Sequence, residues 1–190
     1  MVLDKLSNLP HWQQLKNMSN KKNSSYKEQL GLARKMLLSL EKGDAENQLE
    51  LLKQIMDLSQ DLTSENSKSS EAWMMLGLTQ YWSSDPNAKQ SFKTALELSK
   101  KTESGTRATC LYHIGKISLS QGELEDAETM FDEVLKIKSN HIHALHDMSI
   151  IYAKTNRSKD AIKFLKMVVK EDSDFPGAAE NLSVLLFHEE

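Results

Sequence analysis

Residues 111–137, LYHIGKISLSQGELEDAETMFDEVLKI, decide the fold, because residues 145–171, LHDMSIIYAKTNRSKDAIKFLKMVVKE, carry the same apolar skeleton 34 positions later. Leu111, Ile114, Gly115, Ala127, Phe131, Val134 and Leu135 become Leu145, Met148, Ser149, Ala161, Leu165, Val168 and Val169, and only Ile137 is lost, to Glu171. An earlier copy reads Trp73, Leu76, Gly77, Ala88, Phe92, Ala95, Leu96 and Leu98, with one residue fewer between its halves. Apolar residues at three- and four-residue steps on either side of a polar break describe two helices. Such a pair cannot bury its apolar faces alone, so neighbouring copies must stack. Gly77, Gly115 and Ser149 stand where the first helix of each pair meets the second closely, and Ala88, Ala127 and Ala161 serve the same approach from the other side. Phe92, Phe131 and Leu165 are expected to fill the space between successive units.

Outward from this core the pattern thins. Residues 26–40 place Leu30, Ala33, Leu37 and Leu38 on one helical face, Gly43-Asp44 breaks it, and Leu52, Ile55, Met56 and Leu58 mark a second helix. The pair 26–60 reads as a degenerate repeat in which Leu30-Gly31 echoes Leu76-Gly77, although Gln48 stands where a small residue is expected. Pro10 suits the first turn of a short helix reaching about Met18, followed by a loop at 21–25. Polar stretches at 61–70 and 99–109 read as a flexible connection and an insertion between units. Asp85-Pro86, Gly122 and Ser158 mark the turns into second helices. After Pro176 a last helix carries Ala179, Leu182, Leu185 and Leu186, a half-unit without its second helix. Residues 1–69 therefore form an N-terminal helical region, and 70–190 an array of three repeats (70–104, 108–141, 142–175) with a half-repeat at 176–190. Glycine (7) and proline (3) are too scarce to interrupt helices often, and no stretch alternates with period two, so no sheet is expected.

Charged residues make up 27% of the chain yet cancel to a net −3, which disfavours a nucleic-acid or anionic-membrane partner. No apolar run approaches the ~20 residues of a membrane-spanning helix, and the first twenty residues lack a signal-peptide pattern. Cys110 is the single cysteine, so no intramolecular disulfide forms, and a cytoplasmic protein is expected. Cys110 beside Leu111 reads as a half-buried thiol rather than an activated one. No phosphate loop, nucleophile elbow or paired-carboxylate arrangement occurs, so no enzyme and no cofactor is expected.

A 34-residue unit with a small residue in mid-helix followed by Ala-x3-Phe-x2-Ala/Val resembles the tetratricopeptide repeat over roughly residues 70–187. The resemblance implies an all-α, right-handed α-solenoid of antiparallel helix pairs whose first helices line a concave groove. It further implies a non-catalytic adaptor that holds a partner peptide or helix there, in complex assembly or client delivery. Carried over position by position, the groove residues are Met74, Leu78 and Tyr81, then Tyr112, His113 and Lys116, then His143, His146 and Ile150. Some members grip the EEVD tails of chaperones with Lys, Asn, Asn, Lys and Arg. Here Met74, Leu78, His113, His143 and Asp147 hold those places, so an EEVD-tailed chaperone is not the expected partner.

Three other features stand apart from the resemblance. His113, His143 and Asp147 form a remote candidate metal set, although their spacing matches no established motif. The acidic second helix of the middle unit (Glu123, Glu125, Asp126, Glu128, Asp132, Glu133) faces a basic counterpart (Arg157, Lys159, Lys163, Lys166, Lys170), which predicts charge pairing across the stack. Val184, Leu186 and Phe187 leave the last helix apolar where solenoids usually end in a polar face, so a homo-oligomer formed through this edge is the alternative reading.

Overall fold

The computed structural model describes residues 25–41 and 48–189, so the helix expected at Pro10–Met18, most of the 21–25 loop and the Gly43-Asp44 break lie outside the described residues. Among the described residues the structure is helix and turn without a strand. In chain order the helices are α1 (Tyr26–Glu41), α2 (Gln48–Glu65), α3 (Ser70–Trp82), α4 (Ala88–Leu98), α5 (Ser104–Gln121), α6 (Leu124–Ile137), α7 (Ile142–Lys154), α8 (Ser158–Glu171) and α9 (Ala178–Glu189). They belong to two compact units, Met1–Ser99 and Lys100–Glu190.

In the first unit α1 pairs with α2, α2 packs on α3, and α3 pairs with α4. The buried stripe of α1 is Leu32, Ala33, Met36 and Leu37, so Leu38, expected in the core, instead points out and is half exposed. Nothing lies within 4 Å of where a Cβ on Gly31 would stand, so its echo of Gly77 has no counterpart in packing. Helix α2 runs to Glu65, one turn into the stretch read as flexible, because Leu62 is wholly buried and extends the stripe begun by Leu51 and Ile55. The connection shrinks to 66–69, where the Ser69 side chain accepts a hydrogen bond from the Ala72 N–H at 3.2 Å and caps α3.

In the second unit α5 pairs with α6 and α7 with α8, α6 packs on α7, and α9 closes on α8. Helix α5 begins at Ser104, so the expected insertion at 99–109 is a loop of only 99–103 followed by an exposed first turn. Cys110 is fully buried rather than half buried. In α9 the anchor is Ala178, not the exposed Ala179, and it joins Leu145, Leu165 and Val168 with Leu182 and Leu185 packed against them. Leu186 stays on the outer side. Arg157 crosses from the α7–α8 turn to Glu128 of α6 with two hydrogen bonds, at 3.1 and 2.5 Å, and its guanidinium lies 4.2 Å from the Tyr152 ring centroid. Hydrogen bonding to Arg157 lowers the Glu128 pKa. Lys136 pairs within its own helix, with Asp132 and Glu133. Between the two charge runs, Arg157 and Glu128 form an ion pair that ties the stack.

Two helix pairs, α3–α4 and α5–α6, are set by glycine against phenylalanine. A Cβ on Gly77 would stand 2.8 Å from Phe92 Cδ1, and one on Gly115 only 2.7 Å from Phe131 Cε1. Both rings are completely buried. Each phenylalanine thus packs within its own helix pair, while Leu165, its counterpart one unit on, joins a cluster with Ala178 and Leu182 of the following half-unit. The turn that follows is equally regular. Ser84, Gly122 and Asn156 take left-handed backbone at φ 57, 79 and 58. The next N–H in each case reaches back five residues, Asp85 to Gln80, Glu123 to Ser118 and Arg157 to Tyr152, at 2.8, 2.9 and 2.8 Å. This is the Schellman closure of a helix end, and it reverses the chain identically three times.

Gly115→Ala is expected to destabilise the protein by roughly 1–3 kcal/mol through overpacking, and Phe131→Ala by roughly 3–5 kcal/mol through cavity formation. In the double variant the new methyl occupies part of the space that the ring vacates, so the two losses measured by urea unfolding should sum to more than the double variant loses. Strict additivity would show that the contact does not hold the pair together.

Candidate functional site

The two units offer different surfaces. On α3 of the first unit, Met74 and Tyr81 are half-buried, but Leu78, carried over as a groove residue, is buried in the core and presents nothing to a ligand. One turn earlier Glu71 forms an ion pair with Arg34 of α1.

In the second unit the carried-over residues do gather. Tyr112 of α5 is the centre: its ring centroid lies 5.3 Å from His113, 5.1 Å from His141, 6.2 Å from His143 and 5.8 Å from the buried Phe131. Phe175, in the α8–α9 connection, extends the patch, 5.4 Å from His143 and 5.0 Å from His146. His143 is exposed, while Tyr112, His146 and Ile150 are half-buried. The local sequence explains the placement. His141 caps α7, its Nδ1 accepting a hydrogen bond from the Ala144 N–H at 3.2 Å, and the helix that follows brings His143, His146 and Ile150 round at three- and four-residue steps. Phe175 and the capping role of His141 were missed by sequence reasoning. An isolated Phe before Pro176 in a polar linker was the available signal.

Below the rings Lys116 donates to Asp147 Oδ1 at 3.3 Å, and the Asp147 side chain is almost wholly buried. The Lys116 charge is therefore largely spent inside the unit, and what the patch presents is apolar, aromatic and imidazole surface. Burial, with Lys116 and His141 nearby, pushes the His113 pKa down to about 4. Burial lowers His141 and His146 as well. His113, His141 and His146 are thus neutral near pH 7. His113 and His143 each lie against Tyr112 while Asp147 turns to Lys116, so the remote metal set His113, His143 and Asp147 is not assembled. Among the described residues no three such side chains are grouped to hold a metal ion. Burial also pushes the Cys110 thiol up to about 12. Among the described residues no helix is long and apolar enough to cross a membrane.

Residues 118–182 match a family described as tetratricopeptide repeat. No curated protein matches the chain. Solved structures share the fold. YrrB, described as a TPR protein with an unusual peptide-binding site, aligns at 14% identity over 92% of this chain and 83% of its own, with a TM-score of 0.66. MamA from Desulfovibrio magneticus RS-1 aligns at 13% identity over 85% and 86%, with a TM-score of 0.66. PilF of Pseudomonas aeruginosa aligns at 16% identity over 87% and 71%, with a TM-score of 0.64. At these identities the likeness is one of fold.

The imidazole patch makes stability depend on pH. His113 titrates at about 4 when folded and at 6.5 as a free group, so as pH falls the unfolded chain takes up its proton first. Its contribution is complete above pH 6.5 and is lost as pH drops through 4, a change on the order of 2–3 kcal/mol by pH ~4.5. Urea midpoints at pH ~7.5 and ~4.5 should differ accordingly, and His113→Leu should shrink the difference. An unchanged difference in His113→Leu would remove His113 as its source.

Proposed function

Residues 118–182 of this chain match the tetratricopeptide repeat family, and from that likeness we propose that the protein is a non-catalytic scaffold that captures a partner segment on the α5–α7 face of its second unit. The observation that carries this reading is the Tyr112, His143, His146 and Phe175 surface, in which exposed His143 bridges the Tyr112 ring on one side and Phe175, with His146 beside it, on the other. Tyrosine anchors such surfaces well because it offers a large rigid face with a polar end. Asp147 already balances Lys116, so the face suits a helix or extended peptide with aliphatic or aromatic anchors better than one ending in carboxylates. The peptide-binding site described for YrrB supports a peptide as the kind of ligand. The lone Cys110 thiol, buried and held protonated, fits a cytoplasmic adaptor rather than a thiol-based enzyme.

A displayed library of random peptides panned on the protein should yield binders rich in aromatic and aliphatic residues. Tyr112→Ala and His143→Ala, once shown to be as helical as the original, should each weaken a selected peptide by roughly tenfold or more. Binding indifferent to both substitutions would move the working surface elsewhere.

A further inference from the structure

A groove of about 240 Å³ opens on the second unit, lined by Ser149, Ile150 and Lys154 of α7, Leu165 of α8, and Asn181 and Val184 of α9, among others. It arises where the repeat departs from its own pattern. Ser149 and Leu165 hold the places that Gly115 and Phe131 hold one unit earlier. There the ring fills the pair, as its 2.7 Å approach to the glycine position shows; here a shorter leucine stands opposite a serine, and both line the groove. Beside it stands an unfilled knob: Phe187 is 76% exposed and Val184, one turn back on α9, is 55% exposed.

We propose that a second copy of this chain fills the groove, the two α9 helices packing antiparallel about a two-fold axis at Val184. The register supports it in two places. An axis at Val184 sets Phe187 of one copy opposite Asn181 of the other, at the lip of the groove. It also sets Glu180 opposite His188. The 34-residue phase that brings Ile150 beside Val184 brings Lys154 level with His188, so Glu180 of the second copy meets Lys154. Neither Lys154 nor the exposed Glu180 forms an ion pair among the described residues. One surface thus supplies both knob and hole, and both signs of charge, as a closed two-fold interface requires. A 12-residue helix is about 18 Å long, too short to bury the ~800 Å² per partner of a stable complex, so the pair is weak and concentration-dependent. This inference does not rest on the peptide-binding face around Tyr112.

Sedimentation velocity on the full chain between roughly 2 and 200 µM tests it, the expected mass rising from monomer towards dimer for an interface of this size. Phe187→Glu changes an exposed residue and should weaken association by roughly tenfold or more. Ser149→Gly combined with Leu165→Phe restores the glycine–phenylalanine pair, closes the groove and should leave the protein folded and monomeric. Lys154→Glu and Glu180→Lys should each weaken it roughly two- to fivefold, and together they should recover it. A chain that stays monomeric throughout, a dimer indifferent to Phe187→Glu, or charge reversals that fail to compensate would each overturn the proposal. So would a monomer whose groove takes an apolar peptide, which would give the site to another partner.

Discussion

A phenyl ring pressed against a bare α-carbon is the contact from which the rest of two helix pairs, α3–α4 and α5–α6, follows. At Gly77–Phe92 and Gly115–Phe131 a single added carbon would sit under 3 Å from the ring, closer than packed carbons tolerate. The glycine lets the two backbones approach, the buried ring supplies the apolar area that holds them there, and neither works without the other. Once that depth is set, the left-handed residues Ser84, Gly122 and Asn156 can close the turn with the same pair of backbone bonds each time. On α5 this leaves Tyr112 beside Phe131 with its ring also against His141 and His143 of the next pair. The contact in the core and the surface on offer are two sides of one helix.

The pairing of helices was legible because it is written in short periods. Gly115, Ala127 and Phe131 recur as Ser149, Ala161 and Leu165 at a constant offset, and Ala127 and Ala161 are both buried as that offset requires. Where the period weakened, reading failed. Leu38 looked as apolar as Leu37 and lies outside, while Met36 lies inside; hydrophobicity alone does not say which edge of a stripe turns inward. Gly31 looked like Gly77, but a glycine signals close approach only if a large ring stands opposite, and none does. The polar composition of 61–65 hid one buried leucine, Leu62, which was enough to carry the helix onward.

The candidate face was half legible. Tyr112, His143 and His146 could be placed through the groove positions that the resemblance implies, and a helical step of three puts His143 and His146 on one face. Their energetic setting could not. The Lys116–Asp147 bond joins residues 31 apart, and it changes the meaning of both: a lysine that reads as an offered charge is spent, and an aspartate that reads as repulsive is buried. Phe175 comes from a connection, where no periodicity applies, and Leu78 is withdrawn by packing that no linear count reveals.

The chain has one thiol, and it is Cys110, fully buried in α5 with its pKa pushed up to about 12. At neutral pH the thiol stays protonated, which withholds the thiolate that alkylating reagents need, and burial bars the reagent as well. Modification therefore waits for α5 to part from its neighbours. The rate at which a thiol reagent adds one mass increment to the native protein is thus a direct reading of local opening, without any engineered probe. Its dependence on denaturant would separate breathing of this helix pair from global unfolding. A residue without a chemical task becomes the molecule's own gauge of how tightly its second unit is shut.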